Sequence, residues 1–252
     1  MSATCRRPFF LALLLSLPVG SCSKPAASEH PATVFAAASL TAAFEDLAKA
    51  FEASSPGYKV DLHFAGTPQL VVQLQEGAPV DVFASADQLN MQRVVATGKT
   101  AAEPRIFARN GLAIVVAPGN PKGIKGLADL GRAGLRAVLC GPEVPAGHYA
   151  REALARAQVT VTSVSDEPNV KAVISKVQLG EVDAGIVYVT DTRDAGAAVG
   201  AVAIPDEQNV SATYPVALMT AGHGRAAGDA FVVFLLSAEG QRILAAHGFA
   251  KP

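Results

Sequence analysis

Four predicted helices begin directly after predicted strands, and each begins with small, neutral or hydroxyl-bearing residues. These starts are Ser39, Thr67, the Pro-Ala-Gly turn at 145–147, and Asn169 with Val170. The N-terminus of a helix presents unpaired N–H groups and a partial positive charge. Several such ends aimed at one point would form an anion site built from neutral donors. Every helix also needs a cap, so this pattern by itself leaves plain capping and anion binding open.

The remaining residues that could take part in catalysis form no recognisable catalytic motif. The sequence contains no GxSxG, HExxH, GxGxxG or P-loop motif. The histidines are scattered. His148, beside one helix start, is expected to be solvated or to lie behind a site rather than to line it, and Cys140 is expected to be a small apolar residue rather than a nucleophile. We therefore expect no enzyme, no cofactor and no metal-cation ligands. An exported α/β hydrolase using Ser39 or Cys140 is the alternative, although no base is evident.

Alternating strands and helices predict an α/β fold with a largely parallel sheet. Residues 60–64 alternate apolar and polar side chains, as in a half-buried strand. Residues 112–117 form a nearly continuous apolar run, which is typical of a buried parallel strand. The first helix is predicted from apolar residues at helical spacing, which are Leu40, Phe44, Leu47 and Phe51.

Local signals place the helix starts. Thr67 followed by Pro68 predicts an N-cap and a first helical residue. Asn169 is expected to cap a helix over 170–179, which Gly180 ends. In α/β proteins, ligands bind outside the carboxyl ends of the strands. The four helix starts lie at such strand ends.

The length of the chain suits two lobes of roughly 100 residues each. The pattern predicts that one lobe consists of residues 32–113 and 214–252. The other lobe would then consist of residues 114–213. The chain would cross between the lobes twice.

The first 21 residues have the layout of a signal peptide. Arg6 and Arg7 form a positive start, and residues 9–17 form an apolar run too short to span a membrane. Small residues then lead to Cys22 in a segment that resembles the lipobox of bacterial lipoproteins; a plain secreted protein is the alternative. We expect lipid on Cys22, a tether over 22–31, and a periplasmic protein held at the membrane.

Composition excludes several classes of protein. The 252 residues are 50% hydrophobic, which is too apolar for a disordered chain. The formal net charge is −1, whereas nucleic-acid binders usually show a basic excess. Loss of Arg6 and Arg7 with the signal peptide changes that charge to −3. Cleavage also removes Cys5, and with Cys22 lipidated Cys140 cannot form an internal disulfide. We expect a monomer.

Several long motifs resemble the periplasmic molybdate-binding proteins, the receptors of ABC-type molybdate importers. They occur in the order and spacing of that family, and the similarity covers essentially all of residues 32–252. The motifs are VFAAASLT at 34–41, QEGAPVDVFASAD at 75–87, VPAGHYA at 144–150 and GEVDAGIVY at 180–188. The Tyr-Pro pair at 214–215 and the Gly-Phe ending at 248–249 also fit.

The resemblance implies a two-lobed type II periplasmic-binding-protein fold with the oxyanion in the cleft between the lobes. It implies molybdate, and tungstate with it, as the ligand, and an ABC permease with its ATPase subunit as the partner. A receptor for sulfate or phosphate is the alternative. In this family, hydroxyls and backbone N–H groups hold the anion. The matching positions here are Ser39, Thr67, Ala146, Val170 and Tyr188.

This chain departs from the family pattern at two places. Pro68 cannot donate an N–H group, and Cys140-Gly141-Pro142 replaces a more usual acidic residue before the proline. We expect no carboxylate in the cleft, because it would repel a dianion. Lys171 could attract the anion, or it could be an ordinary solvated side chain.

Overall fold

The computed structural model describes residues 1–2 and 30–252 of the chain. The predicted signal peptide, the predicted lipidation site at Cys22 and nearly all of the predicted tether fall on residues 3–29. They therefore lie outside the described residues. Within the part that is described, no helix has both the length and the apolar character needed to cross a bilayer.

Ten strands and eight α-helices follow one another along residues 32–246. The strands are β1 (Ala32–Ala37), β2 (Val60–Ala65), β3 (Val82–Ala84), β4 (Arg105–Asn110), β5 (Leu112–Val116), β6 (Ala137–Cys140), β7 (Asp166–Glu167), β8 (Ala184–Tyr188), β9 (Gly200–Ala203) and β10 (Ala212–Leu218). The helices are α1 (Thr41–Ser54), α2 (Thr67–Gln75), α3 (Gln88–Val95), α4 (Pro145–Arg156), α5 (Val170–Gln178), α6 (Val189–Ala195), α7 (Arg225–Leu236) and α8 (Ala238–Ala246). A short 3-10 helix, Ala38–Leu40, runs directly into α1.

The strands form two five-stranded sheets. The first has the order β2-β1-β3-β10-β4, and the second has the order β7-β6-β8-β5-β9. The chain passes from the first sheet to the second at Gly111, between β4 and β5, and returns after β9 to β10. We call residues 32–110 and 212–252 the first-sheet region, and residues 112–203 the second-sheet region.

Each sheet is mixed, whereas the sequence predicted a largely parallel one. Four of the five strands run in the same direction, and one strand, β10 in the first sheet and β5 in the second, runs antiparallel to both of its neighbours. The apolar strand β5 pairs antiparallel with both β8 and β9. All five of its residues are buried. The apolar run of β5 therefore indicates that both faces of the strand are buried. Such burial occurs in parallel and antiparallel strands alike.

The cores of the two regions differ in composition. Two of the 11 phenylalanines lie in the predicted signal peptide, and all the others lie in the first-sheet region. Phe44 is fully buried, and its ring centroid lies 5.8 Å from that of Phe107 and 5.9 Å from that of Phe231. The core of the second-sheet region is mainly aliphatic, with residues such as Val173 and Ile186, although Tyr188 is also fully buried there. Aromatic packing therefore organises one half of the molecule and aliphatic packing the other.

Candidate anion-binding site

A small cavity lies between the helix starts of the two regions. Its volume is about 20 Å³, far below the roughly 300–1,000 Å³ of a pocket for an organic ligand. A space of this size suits a small ion. Its lining consists of Ala37, Ala38, Ser39, Gly66, Thr67, Ala86, Val144, Pro145, Ala146, Asn169, Val170 and Tyr188.

The structure brings the five residues singled out from the sequence to this one cavity. The first-sheet region contributes two hydroxyl side chains, those of Ser39 and Thr67. The second-sheet region contributes the helix starts at Ala146 and Val170 and the side chain of Tyr188. Residues separated by up to 149 positions in the sequence therefore share one lining.

The start of α2 differs from the prediction at one residue. Gly66, not Thr67, is the N-cap, and its carbonyl accepts hydrogen bonds from the backbone N–H groups of Gln69 (3.0 Å) and Leu70 (3.3 Å). A Cβ atom at position 66 would collide with the carbonyl oxygen of Pro168, so glycine is required where the two regions approach. Since Thr67 does not cap the helix, its hydroxyl is available to the cavity.

Pro68 is the second helical residue of α2. A backbone N–H group there would have no partner within the helix, so proline is tolerated. The family resemblance raised the concern that a backbone donor is missing at this point. The Thr67 hydroxyl lies one residue before it, at the same helix start, and lines the cavity.

The second-sheet region presents backbone donors at two helix starts. Asn169 caps α5 as predicted, because its Oδ1 accepts from the N–H of Ala172 at 3.1 Å. This bond satisfies the third N–H of the helix and leaves the first, that of Val170, without an intrahelical partner. In α4, Ala146 is the second residue, and its N–H is equally free of intrahelical bonds.

Two buried hydroxyls at the cavity have no hydrogen-bond partner among the described residues. They are Thr67 Oγ1 and Tyr188 Oη, and both side chains are almost completely buried. Tyr188 lies beside Tyr214 without a hydrogen bond of acceptable geometry. Burial raises the pKa of Tyr188 well above its usual value, so its hydroxyl stays protonated and can donate. An unsatisfied buried polar group costs about 1–3 kcal/mol, and a bound acceptor would remove that cost.

No Asp or Glu is among the described residues that line the cavity, and the nearest carboxylates lie behind its wall. Asp191 Oδ2 accepts the backbone N–H of Tyr188 at 3.1 Å. Lys171 Nζ lies 3.4 Å from Asp191 Oδ1 and 3.7 Å from Asp194 Oδ2. Burial raises the pKa of Asp191 to about 6. Lys171 therefore pairs with α6 carboxylates and does not line the cavity.

The hydrolase alternative finds no support in this arrangement. Ser39 Oγ lies 3.2 Å from the hydroxyl of Tyr214, which is a poor base. Cys140 is buried outside the lining, and burial raises the pKa of its thiol, which disfavours the reactive thiolate. His148 is exposed at the surface. Among the described residues, no group of three or more His, Cys, Asp or Glu could hold a metal ion.

Sequence reasoning missed two residues next to the site. Asp191 follows Tyr188, the N-cap of α6, by three positions, and its side chain accepts from the N-cap backbone. This capping-box spacing is readable from a sequence, although an aromatic N-cap hides it. Tyr214 was noted as part of a Tyr-Pro pair, but nothing local indicates that it reaches Ser39, which lies 175 positions away.

Comparison with known proteins decides the family. Residues 32–250 match the model of a family described as bacterial extracellular solute-binding protein. The chain belongs to this family. It is 40% identical to the molybdate-binding protein ModA of Mycobacterium tuberculosis strain H37Rv over 235 residues, which cover 93% of this chain and 90% of that protein. This similarity places it with the ModA branch of the family.

Two solved structures of solute-binding proteins share the fold at low sequence identity. The Azotobacter vinelandii periplasmic molybdate-binding protein matches with a TM-score of 0.74 at 20% identity, over 88% of this chain and 99% of that one. The sulfate-binding protein SubI from M. tuberculosis H37Rv matches with a TM-score of 0.79 at 21% identity, over 88% of this chain and 86% of that one. These likenesses show the two-lobed type II periplasmic-binding-protein fold, which is common to receptors of different anions.

Proposed function

We propose that this protein binds molybdate outside the cytoplasmic membrane and delivers it to an ABC permease driven by its ATPase subunit. The observation that carries the proposal is the small cavity lined by neutral donors, with two buried hydroxyls that have no partner within the described chain. The similarity to ModA supports molybdate as the anion. Tungstate, which has the same charge and shape, is a ligand of the same site.

Hydrogen-bond donors at the cavity, and not the net charge of the protein, hold the anion. The formal charge of the chain is −1 with the signal peptide and −3 without it, so the protein as a whole does not attract a dianion. Hydrogen bonds from neutral donors to a charged acceptor are shorter and stronger than bonds between neutral groups. The helix starts of α4 and α5 add the partial positive charge of the helix dipole. The donors are Ser39, Thr67, Ala146, Val170 and Tyr188.

The donor set also bears on the competing anions. Hydrogen phosphate carries a proton, and its recognition needs an acceptor as well as donors. The hydroxyls of Ser39, Thr67 and Tyr188 are offered as donors, and the nearby carboxylates of Asp87 and Asp191 do not line the cavity. Sulfate carries no proton but is smaller than molybdate. We therefore expect cavity size, rather than charge, to separate sulfate from molybdate.

We also propose that the two sheets mark two lobes that close about the anion. The sequence placed the boundaries at 113/114 and 213/214. Strands β5 and β10 begin at Leu112 and Ala212. We propose crossings just before these two strands, about two residues toward the N-terminus from the predicted boundaries. A cleft between lobes joined by two such crossings can open by hinge motion. A closed, anion-loaded form would be the one that docks on the permease.

We further propose that the protein acts in the periplasm, as its family membership suggests, and that lipid on Cys22 holds it near the membrane. The lipobox-like segment before Cys22 supports this part of the proposal. Mass spectrometry of the protein from its membrane fraction would test it. A mature N-terminus at Cys22 with added acyl mass is expected, and an unmodified, secreted chain would contradict it.

The ligand is tested by thermal unfolding of the purified protein with molybdate, tungstate, sulfate or phosphate. A ligand present at 1,000 times its dissociation constant stabilises the folded state by about 4 kcal/mol. We expect stabilisation by molybdate and tungstate, and much less by sulfate and phosphate at equal concentration. A shift with sulfate or phosphate alone would favour the alternative receptor, and no shift with any of the four would refute the proposal.

The donor role of Tyr188 is tested by Tyr188→Phe, with Tyr58→Phe as the matched control. Tyr58 stacks on Phe51 in the first-sheet region, away from the cavity. Loss of a hydrogen bond to a charged group costs about 1.5–3 kcal/mol, which is tenfold or more in affinity. We expect that loss for Tyr188→Phe and unchanged affinity for Tyr58→Phe in calorimetric titrations with molybdate. Equal affinities for the two variants would remove Tyr188 from the site.

A further inference from the structure

Tyr214 is a fully buried tyrosine with its hydroxyl at the edge of the site. It lies on β10, the strand on which the chain re-enters the first sheet. Its Oη lies 3.2 Å from Ser39 Oγ, and either atom could be the donor. Tyr214 is not part of the cavity lining, so a direct role toward the anion is not assigned to it.

The ring of Tyr214 is held on three sides by other aromatic rings. Its centroid lies 5.4 Å from that of Phe249, 6.2 Å from that of Phe107 and 5.7 Å from that of Tyr188, each at an edge-on angle. Edge-to-face contacts of this kind fix the orientation of a ring. The hydroxyl of Tyr214 is therefore held in place by packing, whatever Ser39 does.

When an anion is present, the number of available protons decides which hydroxyl donates in the hydrogen bond between Tyr214 and Ser39. An oxyanion such as molybdate carries only acceptors. Ser39 has one hydroxyl proton, and if that proton goes to the anion, Ser39 Oγ can only accept from Tyr214. Burial raises the pKa of Tyr214 far above its usual value, so its hydroxyl keeps the proton that this arrangement needs.

The geometry points to Tyr214 as a positioning residue for anion binding: we propose that its hydroxyl donates to Ser39 and thereby turns the Ser39 proton toward the anion. This inference rests on the proposed function. It goes beyond the five donors, because Tyr214 acts through Ser39 and the rigid aromatic cluster behind it. A purely structural role would instead make Tyr214 matter for folding and leave the affinity unchanged.

A double-mutant cycle separates these two roles. Tyr214→Phe, Ser39→Ala and the double variant are titrated with molybdate by calorimetry, with Tyr58→Phe as the control. We expect Tyr214→Phe to weaken binding about tenfold in the wild-type background. In the Ser39→Ala background there is no hydroxyl proton to direct, so Tyr214→Phe should change the molybdate affinity less than twofold. Coupled residues show such non-additivity, whereas independent ones do not.

Two results would overturn the inference while the proposed function stands. One is wild-type affinity in Tyr214→Phe. The other is the same tenfold loss in both backgrounds, which would mean that Tyr214 does not act through Ser39. If wild-type protein binds none of the four anions, the proposed function fails, and the inference fails with it.

A second measurement does not depend on any variant folding. In the molybdate-loaded wild-type protein, the buried hydroxyl proton of Tyr214 should be visible by NMR. It should show a through-space contact to the Ser39 β protons. A Tyr214 hydroxyl proton directed elsewhere, with the Ser39 proton directed at Tyr214, would show the opposite bond direction and refute the inference.

Discussion

The two regions of the molecule share a strand arrangement but supply the site in different ways. In each sheet the fourth strand in the order, β10 or β5, runs opposite to the other four. In the proposed site, the donors of the first-sheet region are the side-chain hydroxyls of Ser39 and Thr67. The proposed donors of the second-sheet region are the backbone N–H groups of Ala146 and Val170, together with the Tyr188 hydroxyl; all five residues line the cavity.

The two halves of the proposed site should therefore respond to different kinds of substitution. A side-chain donor disappears with a single conservative substitution. A backbone donor remains whatever side chain is present, and only proline removes it. The cores of the two regions also differ, because phenylalanine rings fill the first-sheet region and mainly aliphatic side chains fill the second-sheet region.

The largest expected effect tests the contrast between the cores. Phe44→Ala removes a fully buried ring from between Phe107 and Phe231, and should lower the free energy of unfolding by about 3–5 kcal/mol. Val173→Ala, at a fully buried site of the second-sheet region, should cost about 2 kcal/mol. Urea unfolding measures both.

The same experiment tests whether the regions unfold together. One cluster of buried residues contains members of both regions, so we expect a single transition for the wild type and for each variant. Two transitions, of which Phe44→Ala shifts only one, would show that the regions are independent folding units.

The next effect concerns Asp191, the buried carboxylate behind the second-sheet donors. Its pKa is raised from 3.8 to about 6 by burial. A raised pKa means that the folded state holds the proton more tightly, so the stability contribution is present below pH 3.8 and is lost as pH rises through about 6. The loss amounts to up to about 3 kcal/mol.

Asp191→Asn removes that titration while retaining an acceptor for the Tyr188 N–H. The free energy of unfolding of the variant minus that of the wild type should therefore rise between pH 4 and pH 7. Urea titrations at four pH values in this range provide the measurement. A difference that stays constant with pH would mean that the Asp191 carboxylate titrates normally in the folded protein.

Val170→Pro tests the backbone donors of the second-sheet region. Val170 is the first residue of α5, where proline fits a helix but supplies no N–H. Loss of a hydrogen bond to a dianion should weaken molybdate binding by about tenfold or more. Val170→Ala keeps the N–H and truncates the side chain, so it should retain most of the affinity. Equal losses in the two variants would assign the effect to packing.

Thr67→Val gives the smallest effect and tests a side-chain donor of the first-sheet region. The hydroxyl has no partner among the described residues, so its removal should raise the free energy of unfolding without anion by about 1 kcal/mol. It should also weaken molybdate binding roughly fivefold, since a freely rotating hydroxyl gains less on binding than a fixed backbone N–H. Thr67→Ser keeps the hydroxyl and should bind within twofold of the wild type. Lower stability with unchanged affinity would contradict the assignment.

Much of the fold was predictable because its signals are local. The capping side chain of Asn169 and the apolar stripe of α1 lie within a few residues of what they determine. Strand direction was not predictable for β5, since burial on both faces produces the same apolar run in either direction. The cap of α2 was missed by one residue, because Gly66 is required by its close approach to Pro168, about 100 positions away.

By itself, the sequence determined the types of the elements, the neutral character of the five proposed donors and the similarity to a family of anion receptors. These depend on periodicity, turn residues and motifs, each confined to a short stretch of chain. Only the tertiary structure placed Tyr214 against Ser39 and Asp191 behind Tyr188, and left two hydroxyls buried at one cavity. Those relations depend on where two separate sheets meet, and no local pattern encodes the distance between atoms so far apart in the chain.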